Sequence, residues 1–486
     1  MKTSSNYVLL SIQSEHAERI YAGEKKAELR KSFSEDARIV FLYETAPVAA
    51  ITGAFLVGHA KKTGVAEAVE IAERNGVAKD RALEYYGTRD KAWVITVSSA
   101  VKFGHPIPLS DLRVRDHYFS VPQTFAYLNK YEALTQDLLS VLRIHIDKEL
   151  SLRPLSEKHR TILGTLIRSE IGQNYEDIDD DFVHQVLDVE TSTKSAFSTR
   201  NKRVLEFVWR EELMGFTVIT EKVHGSWKTG PSILLPAFRG AGLGQEMRRV
   251  IEDYCRHRGA RAVYCTCSDS QPLVVSYLLN SGMHLQARLR GHLSRNRDEF
   301  VFFKSLMESK QAAPIAIKTH GSEQSIKIAR AFSSDERTNR VIKFFLRSMP
   351  KWYFEPNDGL GKSILESLKS FETGMHPYSA KSRAIYGGFD RNDRVCAAAL
   401  LTPKRSGMVK INLVSTIKDQ VSIGRLLDKV LHDFSHYRRI YLTVPIREVS
   451  TIEALGANDF CFEGILTNPF GNGLDHACFG KINYSE

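Results

Sequence analysis

The stretch Ser232-Ile-Leu-Leu-Pro-Ala-Phe-Arg239-Gly240-Ala241-Gly242-Leu243-Gly244 decides how this chain is read. An apolar strand runs into a proline turn and three glycines in five residues, and a segment of helical spacing begins near Leu243. Glycine lets successive amides turn into one concavity, and a helix start adds partial positive charge, so the bend suits a phosphate. Each such dipole contact is worth ~0.3–2 kcal/mol, so a pyrophosphate needs several amides together with Arg239 or a neighbouring base. A P-loop would place a lysine and a hydroxyl after the last glycine, and neither follows Gly244. A Rossmann turn needs Gly-x-Gly-x-x-Gly, and the spacing from Gly240 to Gly244 is one residue short.

Outward from the bend, Val204 to Lys304 reads as three strands, the glycine turn, a helix, a strand near Ala262 to Cys267, a helix and a last strand, an α/β layout with a mixed sheet. From Gln311 to Ile315 a Pro- and Ala-containing joint leads into helices at Asp335 to Met349 and Leu360 to Phe371. The strand and helix order that follows, from Ser382 to Leu455, echoes the preceding domain, so an internal structural repeat is expected. Upstream, short strands at Tyr7 to Ile12, Ile39 to Tyr43, Ala50 to Gly58 and Trp93 to Val97, with few helices, suggest a small barrel. Between Tyr131 and Val189 the pattern turns helical, with Leu138, Leu139, Leu142 and Ile146 on one face, and the acidic run Glu176 to Asp181 and the Ser/Thr-rich Thr191 to Thr199 punctuate it.

The length of 486 residues implies about three domains, and 43% hydrophobic with 26% charged residues is the balance of a globular protein. No apolar run reaches the roughly 18 residues of a membrane helix, and Met1 to Tyr7 has no apolar h-region, so a cytoplasmic protein without a membrane partner is expected. Six cysteines cannot form a disulfide framework here. Cys265 and Cys267 are spaced as alternate strand residues rather than as a metal clip, so reduced core thiols and no metal are expected. The net charge of +10 permits an anionic partner without requiring one.

The bend resembles the acetyl-CoA loop of GNAT-family N-acetyltransferases, and Tyr277-Leu-Leu-Asn-Ser-Gly282-Met283 is similar to the string that closes the family's catalytic helix. The resemblance covers roughly Lys202 to Leu306. It implies acetyl-CoA as co-substrate, acyl transfer to an amine, and cofactor contacts from Leu234, Leu235, Arg239, Gly240, Ala241, Gly242, Leu243 and Gly244. Tyr277 then protonates the departing thiolate, or packs the helix onto the sheet. Glu221 and His224, between two strands, can serve as base directly or through water, or stand simply as hairpin surface residues. Arg288, Arg290, Arg295 and Arg297 flank a predicted hairpin and suit CoA phosphates, an RNA acceptor or a solvated basic face alike.

The string Gly23-Glu-Lys25-Lys26-Ala-Glu28-Leu-Arg30 alternates cations with one acid after a helix end. If extended, it puts Lys26, Glu28 and Arg30 on one face, with Lys25 starting the other. It resembles the signature of the ASCH domain, a PUA-like barrel, over about Tyr7 to Leu128, and this implies RNA or modified-nucleotide binding by Lys25, Lys26, Glu28 and Arg30. The same residues can also pair among themselves. A hydrolytic branch of that family keeps a threonine where this chain has Glu28, so hydrolysis is not carried over. Residues from about Glu323 to Ile482 resemble a second GNAT fold whose loop, Ser415 to Gly424, keeps only the last glycine, and whose helix lacks the tyrosine.

The expected fold is therefore multidomain α+β, an N-terminal PUA-like β-barrel followed by two tandem GNAT-like mixed α/β domains. The expected boundaries are 1–130 for the ASCH-like domain, 131–200 for a helical linker and leading helices, 201–312 for the GNAT core and 313–486 for the degenerate copy. The function implied is an acetyl-CoA-dependent N-acetyltransferase with RNA or a nucleotide-bearing acceptor recruited by the first domain; RNA, a protein amine and a small molecule all remain open as acceptor. The alternative is a noncatalytic RNA- or nucleotide-binding sensor of acyl-CoA.

Overall fold

Val8, Leu9, Leu10 and Ile12 are buried on both faces of the first strand, which requires a sheet covered on both sides. In the computed structural model that strand, β1 (Tyr7–Ile12), sits near one end of a six-stranded sheet with β2 (Ala27–Arg30), β3 (Ile39–Glu44), β4 (Ala50–Gly64), β5 (Lys91–Pro108) and β6 (Phe125–Tyr127), in the order β2-β5-β4-β3-β1-β6. The structure describes residues 7–147, 149–172, 180–187, 198–209, 211–239, 242–307, 326–356, 359–374 and 382–483. The run Glu176 to Asp181, most of Thr191 to Thr199 and the joint Gln311 to Ile315 lie wholly or largely outside them. By contacts the chain divides into two units, Met1–Arg153 with Phe207–Gly215 and Leu234–Val250, and Pro154–Glu206 with Phe216–Ile233 and Ile251–Glu486.

The first unit's sheet curls as a half-barrel: β2 and β6 are its edges and do not pair with each other among the described residues. Arg30 at the end of β2 reaches over to β1, donating from Nη2 to Ser11 O at 2.8 Å. Phe33 then fills the open side, its ring 6.5 Å from Trp93 and 5.5 Å from Phe125. Helix Ser14–Tyr21 covers one face through Ala17 and Ile20, and Gly23, at φ 74°, ends its turn. Strands β4 and β5 run far beyond the expected Ala50 to Gly58 and Trp93 to Val97. Their extensions carry exposed polar residues such as Lys61, Lys62 and Lys102, and the backbone ladder between them, offset at several bulges, holds them extended without an apolar pattern. Helix Glu132–Asp147 follows, burying Leu138, Leu139, Leu142 and Ile146 as the spacing predicts.

After β7 (Leu150–Pro154) come β8 (Thr199–Trp209), β9 (Glu212–Lys222), β10 (Ser226–Leu234), β11 (Ala262–Ser268), β12 (His284–Ser294), β13 (Arg297–Ser305), β14 (Lys327–Ala331), β15 (Ala384–Phe389), β16 (Val395–Lys404), β17 (Met408–Ser415), β18 (Arg439–Pro445), β19 (Cys461–Leu466) and β20 (His476–Ile482). In the second unit they form a sheet in the order β14-β15-β16-β17-β18-β20-β19-β12-β13-β11-β10-β9-β8. The expected repeat is visible in the element order, in which β8-β9-β10, a helix, β11, a helix, β12 and β13 recur as β15-β16-β17, a helix, β18, a helix, β19 and β20; Arg261 and Arg438, Tyr264 and Tyr441, Ala287 and Gly464, and Gly291 and Asn468 stand at corresponding places. The two copies join where β12 meets β19 antiparallel, and the paired residues there, Ala287 and Gly464, are themselves equivalent. An antiparallel pair of equivalent residues marks a local two-fold axis. Gly464, at φ 144°, is obligatory at this seam, since a Cβ would stand 2.3 Å from Gln286 O.

Five of the six cysteines are buried and Cys461 is exposed; all are free thiols. Among the described residues no helix is long and apolar enough to cross a membrane.

Candidate functional site

Strand β10 ends where Leu235 N donates to Met214 O at 2.9 Å. Pro236 begins a single 3₁₀ turn, closed by Phe238 N to Leu235 O (2.9 Å), and Arg239 folds back so that its Nε donates to Leu234 O at 3.0 Å. Gly240 and Ala241 lie outside the described residues. Gly242 has φ 75°, which favours glycine, and its missing Cβ would sit 3.4 Å from Arg143 Nη1. Helix Leu243–His257 starts at once, Leu243 being buried as its first anchor and Gly244 lying in its first turn. The acid of that turn, Glu246, stands 3.5 Å from Arg143 Nε and 3.1 Å from Arg249 Nε. The bend is thus flanked by Arg143, a residue that sequence reasoning missed because it comes from the distant helix Glu132–Asp147. Tyr7 of β1 donates from its hydroxyl to Arg239 O at 3.2 Å, and burial raises its pKa.

In the second unit, β10 and the parallel β11 pair only over Ser226–Lys228 and Ala262–Tyr264. Beyond that point Gly230, at φ 134°, and Pro231, which has no N–H to donate, carry β10 onward, so the two strands part. Helix Pro272–Asn280 follows β11 and carries Tyr277, half-buried against Cys265, Cys267, Leu278, Met283 and Phe302. Burial raises the Cys267 thiol to about 12, which keeps it protonated.

The two proposed base residues do not join Tyr277. Glu221 is buried and held by Arg203, Nε to Oε1 2.8 Å. His224 is wedged between the rings of Phe354 and Phe470, and burial together with Lys222 lowers its pKa to about 3, so it is neutral at physiological pH. Both lie by the turn that meets the start of β11, where Arg261 N donates to Gly225 O (2.9 Å), while the Tyr277 helix leaves the other end of that strand. Seven residues of strand put roughly 20 Å between those ends.

The second copy is filled at the corresponding places by its own side chains. Its parallel strands β17 and β18 pair from Met408 to Ile411 and then part. Into that gap Tyr353 sends its hydroxyl, which lies 2.9 Å from Leu413 O and 3.3 Å from Thr443 O and accepts from Leu413 N at 3.1 Å. At the start of helix Gln420–Asp433 the carboxylate of Asp419 accepts from Val421 N and Ser422 N, taking the place an anion would occupy. The position equivalent to Tyr277 is Ala454, fully buried.

In the first unit, Lys25 Nζ lies 2.5 Å from Glu28 Oε2, and Arg30 Nε 2.9 Å from Glu28 Oε1. Lys25 and Glu28 are buried, so the acid is occupied by internal cations rather than presented to a base edge. Burial opposes ionisation of Glu28, but Arg30 and Lys25 together outweigh it and lower its pKa. Lys26 leaves the shared face expected of it: it precedes β2, its N–H is taken by Asn75 Oδ1 at 2.8 Å, and its side chain is exposed.

The family model described as Acetyltransferase (GNAT) family matches residues 172–278, an interval that contains both the bend and Tyr277. Among solved structures the chain is similar to the ASCH protein of Zymomonas mobilis, at 24% identity over 28% of this chain and 95% of that one, with TM-score 0.26. It is also similar to the spermidine N-acetyltransferase of Vibrio cholerae, solved with CoA and spermine, at 15% identity over 33% of this chain and 96% of that one, with TM-score 0.28. No curated protein matches. Residues 172–278 of this chain thus carry a match to the GNAT acetyltransferase family, within a mixed α/β multidomain protein.

Proposed function

We propose that this protein is an acyl-CoA-dependent N-acetyltransferase that moves the acetyl group of acetyl-CoA to an amine. The observation that carries the reading is the bend from Arg239 to Gly244, where Gly242 turns the backbone into the start of helix Leu243–His257 inside the matched interval. The amides of Gly242, Leu243 and Gly244 are the phosphate contacts in this reading, with Arg239 and Arg143 as neighbouring cations; Gly240 and Ala241, outside the described residues, are assigned to the same role by the glycine spacing of the sequence. The Leu235 amide is already donated to Met214 O, so polarisation of the thioester carbonyl falls to the Leu234 end of the strand.

The amine attacks the thioester carbon and loses a proton, and the departing thiolate gains one. Thiol and phenol pKa values of about 8.5 and 10 are close enough for Tyr277 to be the donor. Neither Glu221, held by Arg203, nor neutral His224 is assigned as base. The N-terminal sheet recruits RNA or a nucleotide-bearing acceptor, with Lys26 as its exposed cation. The domains are taken as 1–130, 131–200, 201–312 and 313–486, in a cytoplasmic protein.

A second reading, an acyl-CoA sensor without turnover, is favoured by the packing of the Tyr277 ring on its core cluster. Labelled acetyl-CoA incubated with the protein and a cell extract separates the two: label is expected in RNA, protein or a small amine. Tyr277→Phe is expected to slow transfer on the order of 100-fold while CoA affinity holds within twofold. Unchanged turnover in the variant makes Tyr277 a packing residue, and no transfer by the wild type leaves the sensor.

A further inference from the structure

A buried carboxylate inside the matched interval has no part in the site described so far. Glu206 of β8 is fully buried, and its Oε1 accepts from Ser156 N at 2.8 Å, from Ser156 Oγ at 2.6 Å and from His159 Nδ1 at 2.7 Å. Ser156 and His159 belong to the start of helix Glu157–Leu166, which follows β7. Ser156 holds the N-cap position, yet its hydroxyl makes no capping bond to the helix amides and turns to the carboxylate instead. The trio is not a nucleophilic triad, because Ser156 Oγ lies 3.0 Å from the same Nδ1 that the carboxylate holds and gives its own proton to Oε1. With Nδ1–H donated to Glu206, the basic lone pair of the imidazole is left on Nε2. Nε2 makes no hydrogen bond among the described residues, and the His159 side chain is 14% exposed.

Hydrogen bonds in the second unit tie this pair to the strand that leaves the sheet. Val223 N donates to Ser198 O at 3.1 Å and Lys222 Nζ to Thr199 Oγ1 at 2.9 Å, so antiparallel pairing of β8 with β9 brings Val204 opposite Thr217. Thr217 Oγ1 is in turn 2.8 Å from Ser232 Oγ on β10. Val204, Thr217 and Ser232 therefore make one row across three strands, and Glu206, two residues along β8, shares the face of that row. Ser232 is exposed and lies past Lys228, where β10 has parted from β11. Strand spacing and rise put roughly 12 Å between the backbones of Glu206 and Ser232, with the His159 ring on the same face. The second copy lacks the pair: its strand Ala384–Phe389 carries no acid and its helix Glu336–Trp352 no histidine. That is also the copy whose strand gap is occupied by Tyr353, so the open gap and the acid–histidine pair occur together.

We infer that His159 is the general base of the transfer and Glu206 its positioning residue, the acceptor amine standing on the face of the sheet that Ser232 shares. The inference rests on the transferase reading. As the amine nitrogen bonds to the thioester carbon, its proton passes to His159 Nε2, directly or through one water, and Glu206 stabilises the imidazolium. The carbon–sulfur bond breaks, the thiolate takes its proton from Tyr277, and the imidazolium returns its own to solvent at the exposed edge of the ring. An alkylamine or a water molecule must lose a proton in this step. Hydroxylamine, neutral at pH 7 and strongly nucleophilic, depends far less on a base.

The test follows release of CoA from acetyl-CoA by the full-length protein with three acceptors: water, hydroxylamine and the amines of a cell extract. In His159→Gln the side-chain amide still donates to Glu206, so the fold should hold by circular dichroism. Release to water and to the extract amines should fall about 100-fold, and release to hydroxylamine less than fivefold. Imidazole added to His159→Ala should restore part of the lost rate. Glu206→Gln keeps an acceptor for Ser156 and removes the charge behind the ring, and about a tenfold loss confined to water and the extract amines is expected, a readout that stands if the His159 variants do not fold. Equal losses with all three acceptors make the pair a structural anchor of the helix, and unchanged rates remove it from the reaction; either result overturns the inference while the transferase reading stands. A wild type that releases CoA to none of the three overturns the transferase reading, and this inference with it.

Discussion

At the scale of single residues, the chain repeatedly answers a buried charge or an open slot with its own side chains. Glu28 is the clearest case, a buried carboxylate with Lys25 on one oxygen and Arg30 on the other. Because its pKa is lowered in the folded protein, its contribution is full above the unfolded value of about 4.3 and is lost as pH falls through the lower folded value. Glu28→Gln leaves Lys25 buried without a counter-charge, and about 3–5 kcal/mol of stability should disappear at pH 7, read by urea denaturation. The same substitution should flatten the acid limb of the stability curve; a wild-type acid limb that survives in the variant assigns the loss to other carboxylates. Tyr353 and Asp419 do the equivalent in the second copy, placing a hydroxyl between parting strands and a carboxylate on the first amides of a helix.

At the scale of elements, the bend works through backbone conformation, so its chemistry depends on glycine rather than on a side chain. Gly242 at φ 75° beside Arg143 is the position where substitution acts most directly. Gly242→Ala strains the backbone by about 1–2 kcal/mol and pushes against the Arg143 guanidinium, so CoA affinity should fall about tenfold with the fold intact by circular dichroism. Equilibrium binding of CoA checks this, and an unchanged dissociation constant would remove the bend as the phosphate cradle. The elements themselves were largely readable. Tyr7–Ile12 and Ser14–Tyr21 match the sequence expectation, because a short apolar run and an amphipathic turn are local patterns. The polar ends of β4 and β5 were not readable, since strand pairing between distant segments holds them extended.

At the scale of the whole molecule, the tandem copies share one sheet through a single tight rung, Ala287 to Gly464. A Cβ at Gly464 would meet Gln286 O at 2.3 Å and Ala287 Cα at 2.6 Å, both backbone atoms that cannot move aside cheaply. Gly464→Ala should therefore cost about 3 kcal/mol or more and broaden or split the urea transition as the copies lose their joint sheet. A single transition at the wild-type midpoint would show that the seam does not bear on stability. Beside it lies the fully buried pair of Arg439 and Glu463, 2.5 Å apart, with Glu463 Oε1 also accepting from Arg290 N at 2.9 Å. That network ties the strand ends of one copy to the other.

What the amino-acid sequence determined by itself was local: where strands and helices begin, the glycine spacing of the bend, the tyrosine-bearing helix, and the repeated order of elements, all of them set by backbone preference and apolar period over a few residues. Only the tertiary structure decided which distant groups meet. It brought Arg143 to Gly242, put Tyr353 into a gap between strands, drew Glu28 inside with two cations, and carried His224 away from Tyr277 into an aromatic cage. Such pairings join residues tens to hundreds of positions apart, and no short-range pattern encodes a contact whose energy exists only once the intervening chain has folded.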